Sequence, residues 1–196
     1  VGQDQVGIDA ARKVYSTAVS SAESLWEQAK AGDKPDPGTA RKIIDSLANI
    51  VNRDRTSLMA LTALKKYDNY TFTHMVNLEG PLLREFGFAA LLHDIGKVNT
   101  PLEVLNKPGK LTGDEFKVMK QHVIDGAHLL RRTPEMPALA PVVAFEHHLK
   151  QDLSGYPENV GHRELNLCTM IVSIADVFDA LRSNRPYREG LATARI

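Results

Sequence analysis

Apolar residues recur at helical spacing along most of this chain, and no run of alternating β-branched residues competes with that pattern. The 196 residues are enough for one compact domain with a buried core. No internal repeat or low-complexity tract interrupts the pattern. The sequence therefore predicts an all-α fold.

Prolines and glycines divide the first part of the chain into predicted helices. The first covers residues 8–31 and ends at "GDKPDPG", the second covers 39–52, and the third runs through "TSLMALTALKKY". Residues 1–66 carry no chemistry that we can identify, so we predict a helical lead-in or connector there and a functional domain over 67–196. Because the chain begins with Val1 rather than Met, we expect a piece of a longer protein. A truncated C-terminus and an upstream regulatory domain are separate expectations.

The second part of the chain has clear helix signals. Thr112 and Glu115 form a capping box that predicts a helix through "EFKVMKQHVIDGAHLL". "TPEMPALAP" should end that helix, and a further helix should carry "VVAFEHH". After a loop that contains Gly155, a long apolar helix is predicted over "LCTMIVSIADVFDAL".

Charge and cysteine content narrow the classes of function. Lys plus Arg and Asp plus Glu number 24 each, so no global field attracts a nucleic-acid polymer or an anionic membrane. No run of about 18 to 20 apolar residues is present, which predicts no membrane span. The single cysteine, Cys168, suits a reducing compartment, so we predict a cytoplasmic protein.

Two aspartate motifs lie in apolar surroundings, where a lone carboxylate is costly. His93 and Asp94 end the apolar run in "FAALLHDIGK", and Asp176 lies within "IVSIADVFDAL". One such carboxylate could belong to a core salt bridge, and a single histidine is more often a surface or core residue than a ligand. Their joint occurrence with further imidazoles favours metal binding. The histidines concerned are His74, His93, His122, His147 and His148.

Imidazole nitrogen with carboxylate oxygen suits iron, manganese, zinc or nickel. Five histidines and two aspartates exceed one tetrahedral site, so two metals with a bridging carboxylate are the economical interpretation, and such a pair suits phosphoester hydrolysis. Lys97 could meet a phosphate oxygen, or could be a solvated surface lysine. "RSNRPYR" could bind phosphate and stack on a base, or could be a basic helix C-terminus.

The motifs "HDIGK", "MKQH", "HH" with a "GYP" loop, and "IADVFDALRSNRPYR" occur in an order that closely resembles the HD-GYP subfamily of HD-domain metal-dependent phosphohydrolases. The resemblance covers residues 70–188. It implies an all-α fold with a binuclear centre that hydrolyses the second messenger cyclic di-GMP to pGpG or GMP through a metal-bridging hydroxide. It implies two divalent ions, iron first, with manganese, nickel or zinc as alternatives.

Carried over by position, the resemblance implies a role for each motif residue. Asp94 would bridge the metals and Lys97 would contact phosphate, so these two would carry catalysis. The implied metal ligands are His74, His93, Asp94, His122, His147, His148 and Asp176. The implied substrate contacts are Lys97, Asp152, Gly155, Tyr156, Pro157, Arg185 and Tyr187.

Two positions depart from the family pattern, which reads HHE and then DGxGYP. Leu149 replaces the glutamate and Leu153 the first glycine, so the loop lacks a carboxylate and a flexible position. Three functions stay open: a cyclic di-GMP phosphodiesterase, a module that binds metal and nucleotide without turnover, and a nucleotidase acting on another phosphoester. A homodimer is a further expectation.

The spacing between His74 and His93 is unusual. Nineteen residues in one straight helix would span about 28 Å, too far to share a metal, so the chain must reverse at "EGP", residues 79–81. The two arms would then differ in length, and the ligands would be out of register. We therefore predict that residues are absent from this sequence between about Asn77 and Glu79.

Overall fold

The structure is a computed structural model, and it describes residues 2–53, 80–161, 164–182 and 190–191. Within these ranges the regular elements are helices, and the β-type pairing is limited to one isolated bridge between Leu149 and Gly155 in a loop. The predicted all-α fold is therefore confirmed. In the described ranges no helix combines the length and apolar character needed to cross a membrane. The α-helices are α1 (Gly2–Lys30), α2 (Pro37–Arg53), α3 (Gly80–Leu92), α4 (Leu102–Leu105), α5 (Gly113–Lys120), α6 (His122–Arg131), α7 (Leu139–Glu146) and α8 (Leu167–Arg182), and a 3-10 helix covers Ile95–Asn99.

Helix α2 begins two residues before the sequence predicted. Asp36 caps it, because its carboxylate accepts hydrogen bonds from the backbone amides of Gly38 and Thr39 at 3.2 and 2.8 Å. Pro37 then occupies the first helical position, where its missing amide costs nothing. The break predicted at "GDKPDPG" is therefore a helix start as well as a helix end.

Helices α1 and α2 pack on each other and on the remainder of the fold. Helix α2 contacts α3, and α1 contacts the 3-10 helix. Fully or almost fully buried side chains of Leu25, Ile44 and Phe86, one from each of α1, α2 and α3, join the same apolar core. The predicted third helix, residues 56–67, lies outside the described residues, and the division at residue 66 stays a prediction.

The capping box at the start of α5 is present as predicted. Thr112 accepts a hydrogen bond from the amide of Glu115, and the Glu115 carboxylate accepts one from the amide of Thr112. The continuous helix predicted after it is wrong, because α5 ends at Lys120 and α6 begins at His122. Bonds between residues three apart tighten the chain around Gln121.

Helix α7 lies at the centre and contacts α3, α6 and α8. Its small buried residues Ala140, Val143 and Ala144 allow these helices to approach closely. The helix ends at Glu146, so the prediction that it carries both following histidines is wrong. His147 and His148 lie in the next turn, because the amide of Leu149 bonds back to the Glu146 carbonyl at 2.7 Å.

Candidate metal centre

Four elements bring the predicted ligands to one place. His93 and Asp94 directly follow α3, and His122 begins α6. His147 and His148 form the turn after α7, while Asp176 lies on α8. These side chains come from positions up to 83 residues apart in the chain, so the packing of α3, α6 and α8 around α7 creates the cluster.

Gly96 allows the backbone that carries Asp94 to approach α6. A Cβ atom on Gly96 would lie 1.9 Å from the carbonyl oxygen of His122 and 2.5 Å from the amide nitrogen of Gly126. No side chain fits in that space, so the 3-10 helix packs backbone to backbone against α6. The glycine of "HDIGK", to which the sequence analysis assigned no role, is therefore a packing requirement of the cluster.

Three of the histidine rings are oriented by backbone carbonyls. The Nδ1 atoms of His93, His122 and His147 lie 2.8, 2.6 and 3.0 Å from the carbonyl oxygens of the residues three positions earlier. Because a carbonyl oxygen only accepts, we assign the proton of each ring to Nδ1. In the neutral form of each ring Nε2 then carries a lone pair, as a metal ligand requires, and at His93 a metal ion would displace the second proton from that atom.

The three Nε2 atoms surround the carboxylate of Asp94. Oδ1 lies 3.3 Å from Nε2 of His122 and 3.5 Å from Nε2 of His147, and Oδ2 lies 3.4 Å from Nε2 of His93. Two groups of donor atoms, each mutually within 4.8 Å, share this residue. They are Asp94 with His122, His147 and His148, and Asp94 with His93 and Asp176.

The described donor atoms of the cluster do not all satisfy one another by hydrogen bonds, and metal ions would satisfy them. Among the described residues, Asp94 Oδ1 and His93 Nε2 are buried without a hydrogen-bond partner. The Nε2 atoms of His122 and His147 lie 3.4 Å apart with lone pairs on both, an arrangement that a cation between them would stabilise. Two nitrogen ligands at about 2.1 Å in a tetrahedral site would be separated by roughly the same distance. The cluster therefore suits borderline divalent metals.

Electrostatics favours positive charge at the cluster. Burial opposes ionisation of Asp94, but the charges of His93 and Lys97 hold its pKa well below the ordinary value. Burial alone would lower the pKa of His93, yet the charges of Asp94 and Asp176 raise it to about 9. The two carboxylates thus attract a cation, and a metal ion would compete with the proton on His93.

Lys97 lies at the edge of the cluster. Its ammonium group donates a hydrogen bond to Asp94 Oδ2, the oxygen on the His93 side. The Lys97 side chain is 27% exposed, so part of it also faces solvent. It can therefore hold the carboxylate and meet an anionic group that approaches it.

The loop after the histidine pair closes onto His148. Gly155 has a φ of 102°, and a Cβ atom there would lie 2.2 Å from the carbonyl oxygen of His148. The ring of Tyr156 lies against the His148 ring, with centroids 4.5 Å apart, and the Tyr156-Pro157 bond is cis. The carboxylate of the exposed Asp152 accepts a hydrogen bond from the Ser154 amide at 2.9 Å and shapes the loop. Predicted loop residues and predicted ligands are therefore in direct contact.

Burial also fixes the protonation of the residues at this end of the cluster. It lowers the pKa of His148 to about 2, assisted by repulsion from His147 and His122, so the ring is neutral. It raises the pKa of Tyr156 well above the ordinary value, together with the charges of Asp94 and Asp176. Tyr156 therefore stays a phenol that can donate a hydrogen bond.

The two departures from the family pattern leave the loop closed. Leu149 is only 3% exposed and forms the bridge with Gly155. Leu153 has a φ of 60°, a left-handed conformation that costs a residue other than glycine about 1–2 kcal/mol. The loop thus keeps a glycine-like backbone without the glycine.

Three predicted site residues and one predicted gap cannot be placed. His74, Arg185 and Tyr187 lie outside the described residues, as does the segment between Asn77 and Glu79 where we predict missing residues. Their roles stay predictions. His128, to which the sequence analysis gave no role, is exposed on α6 and belongs to neither donor group.

Two further residues that attach α8 to the histidine turn were missed in the sequence analysis. Ser173 Oγ donates to the carbonyl oxygen of His147 at 2.6 Å, and Thr169 Oγ1 donates to the buried Glu146 carboxylate at 3.3 Å. Spacings of four and three residues place Thr169, Ser173 and Asp176 on one face of α8. That row of polar residues in an apolar helix was a signal available in the sequence.

Comparisons with known proteins agree with this geometry. A family model described as HD domain matches residues 43–195. The cyclic di-GMP phosphodiesterase PA4108 of Pseudomonas aeruginosa is 36% identical over 188 residues, which cover 89% of this chain and 45% of that protein. The cyclic di-GMP phosphodiesterase of Thermotoga maritima is 46% identical over 105 residues, covering 53% of this chain and 28% of that protein. The 3'3'-cGAMP-specific phosphodiesterase 2 of Vibrio cholerae is 34% identical over 153 residues, which cover 77% of this chain and 29% of that protein.

The chain spans less than half the length of these curated relatives. Among solved structures, Bd1817, an HDG"Y"P protein from Bdellovibrio bacteriovorus, matches with a TM-score of 0.73 at 16% identity. The match covers 96% of this chain and 64% of that chain. Because the match extends over nearly the whole chain, the fold shared with Bd1817 includes helices α1 and α2.

Proposed function

This chain belongs to the HD domain family, and we propose that it is a metal-dependent phosphodiesterase that hydrolyses cyclic di-GMP to pGpG or GMP. The observation that carries the proposal is the position of Asp94, which belongs to both groups of donor atoms. A carboxylate shared in this way suits a pair of metal ions, and a metal pair suits hydrolysis of a phosphodiester.

We assign one ion to each donor group. Iron is the metal that we propose first, with manganese, nickel and zinc as alternatives. His122, His147 and His148 would hold one ion with Asp94, and His93 and Asp176 would hold the other with Asp94. His74 is the proposed additional ligand. When bound, the ions would supply a water of near-neutral pKa and positive charge opposite the phosphate.

The chain's own residues orient the reactants. Lys97 holds the Asp94 carboxylate and presents its ammonium group to a phosphate oxygen, where it stabilises the negative charge that develops during attack. Tyr156 remains protonated and lies on the His148 ring, so it can donate to a second phosphate oxygen. Gly155 and Pro157 flank Tyr156 in the proposed substrate loop, and Arg185 with Tyr187 are proposed to bind the remainder of the nucleotide.

The names of the relatives support a cyclic dinucleotide as the proposed substrate and include two different base compositions. Several are named as cyclic di-GMP phosphodiesterases, and others as specific for 3'3'-cGAMP. Both substrates are cyclic dinucleotides that contain guanine. Cyclic di-GMP is our proposed substrate. A cytoplasmic location, a homodimer and an upstream regulatory domain stay predictions.

A product assay on two histidine variants tests the proposal. We expect protein supplied with Fe(II) or Mn(II) to convert cyclic di-GMP to pGpG or GMP, measured by chromatography. His122→Ala should lower turnover at least about a hundredfold because it removes a ligand. His128→Ala, an exposed histidine on the same helix, should retain it.

The same assay separates the alternatives. Binding of cyclic di-GMP without any product would identify the non-hydrolytic module, which the two leucines of the loop favour. Faster hydrolysis of mononucleotides than of cyclic di-GMP would identify a nucleotidase. A preference for 3'3'-cGAMP would keep the reaction and change the substrate.

A further inference from the structure

A cavity of about 510 Å³ lies between the helical lead-in and the metal-ligand cluster. One wall is a face of α1, a second is formed by Ile43 and Leu47 of α2, and α3 closes the third side. The cavity extends as far as His93 and Asp94. Its volume lies in the range of small-molecule sites, about 300–1,000 Å³. A ligand whose phosphate lies at the cluster could therefore extend into the cavity.

The α1 wall carries both aromatic and charged side chains. Tyr15 and Trp26 supply rings, and Glu23, Glu27 and Lys30 supply charges, all at spacings that place them on one helix face. Lys30 donates a hydrogen bond to Glu27 at 2.7 Å, so an acceptor group and a donor group lie side by side. Apolar residues of α2 also line the cavity. A flat ring with polar edges matches this lining.

We infer that this cavity binds one guanine base of the substrate, with Trp26 packing on the base and Glu27 and Lys30 contacting its edge. The inference rests on the proposed function, because the phosphate at the cluster determines which part of the ligand enters. Guanine presents two adjacent donors, N1–H and the 2-amino group, which one carboxylate can accept together. Its O6 acceptor lies beside them, where an ammonium group can donate.

The same edge of adenine suits this wall less well. Adenine presents a single amino donor and an N1 acceptor, and that acceptor would face the carboxylate. The Glu27 carboxylate accepts from both guanine donors, but it would repel the lone pair of adenine N1, and this repulsive contact disfavours adenine. The cavity thus gives the lead-in helix a role in base selection, beyond a connection to an upstream domain. Glu23 lies on the same wall and supplies a second acceptor.

Trp26 provides a direct readout because it is the only tryptophan of the chain. We expect GMP to change the fluorescence of the metal-loaded protein saturably, and AMP to require at least about a tenfold higher concentration. Equal responses to GMP and AMP, or no response to either, would overturn the inference.

The second test measures the kinetic constants of variants in which glutamine replaces a glutamate. Glu27→Gln should raise KM for cyclic di-GMP about tenfold with kcat changed less than about twofold, because it weakens binding and leaves the reacting groups in place. Glu103→Gln, an exposed glutamate of α4 that does not line the cavity, is the matched control and should leave both constants unchanged. An unchanged KM in Glu27→Gln would contradict the inference.

A purely structural role of Trp26 is tested separately. Trp26→Phe keeps a ring, so KM should stay within about threefold of that of the unsubstituted protein. Trp26→Ala removes the ring and should raise KM at least about tenfold. Circular dichroism should show that both variants keep the fold. Equal KM values in both variants would count against stacking. Discrimination of GMP from AMP without any turnover of cyclic di-GMP would contradict the proposed function and leave the guanine site standing.

Discussion

Leu153 holds a φ of 60°, a conformation that glycine adopts at much lower cost. The hydrogen bond from its amide to the Lys150 carbonyl, at 2.8 Å, and that from the Lys150 amide to the Ser154 carbonyl, also at 2.8 Å, keep this part of the loop closed. The backbone of the loop is therefore strained at Leu153, and glycine, the residue of the family pattern at this position, would remove that strain.

Replacing this residue should relieve the strain. Leu153→Gly is expected to raise the free energy of unfolding by about 1 kcal/mol, since the relief of about 1–2 kcal/mol exceeds the added chain entropy of the unfolded state. Urea unfolding measures the change. Lys150→Gly, in the same loop without a positive φ, should instead lower stability by about 0.5–1 kcal/mol. A loss of stability in Leu153→Gly would contradict this account.

Individual residues differ in how far the sequence could predict them. His93, Asp94 and Asp176 were identifiable because charged or titratable side chains in apolar runs need partners. Gly96 was not, because its requirement arises from the carbonyl of His122, a residue 26 positions away whose approach depends on the packed fold. Backbone contacts of this kind leave no mark in local composition.

At the scale of single helices, the elements with local signals were predicted well. The capping box of α5 and the extent of α8 follow from residues within a few positions of the helix ends. The division between α5 and α6 and the end of α7 before His147 were not predicted. Both breaks place histidines in the cluster, so they depend on contacts between helices that a local pattern does not contain.

The capping box of α5 should make stability depend on pH. Lys107 and the Thr112 amide bond to the carboxylate of Glu115 and lower its pKa to about 2 from 4.5. A folded-state pKa below the unfolded value contributes stability that is present above about pH 4.5 and is lost as the pH falls toward 2.

The variant Glu115→Gln isolates this contribution, because glutamine can still complete the cap but cannot ionise. The unsubstituted protein should be more stable than the variant above pH 5, and the difference should shrink as the pH falls toward 2. Thermal unfolding across that range measures the difference. A difference that is independent of pH would show that the charge of Glu115 does not contribute.

At the scale of the whole molecule, the sequence predicted which residues would meet but not how they meet. The order of the motifs predicted the fold and six of the residues that the structure brings together. The structure adds that α7 lies at the centre of the cluster, and that the lead-in helices form one core with the domain and line a cavity beside it. Such relations require three-dimensional packing, which spacing along the chain does not specify.

The central claim is that Asp94 joins two metal sites into one phosphodiesterase centre. It is tested most directly by measuring metal content per chain together with cyclic di-GMP turnover in Asp94→Ala. The exposed carboxylate variant Asp114→Ala is the control, since Asp114 pairs only with Lys117 among the ion pairs of the described surface. We predict about two metal ions per chain and full turnover in the unsubstituted protein and the control, with loss of both metal and turnover in Asp94→Ala. Two bound metals and retained turnover in Asp94→Ala would contradict the claim.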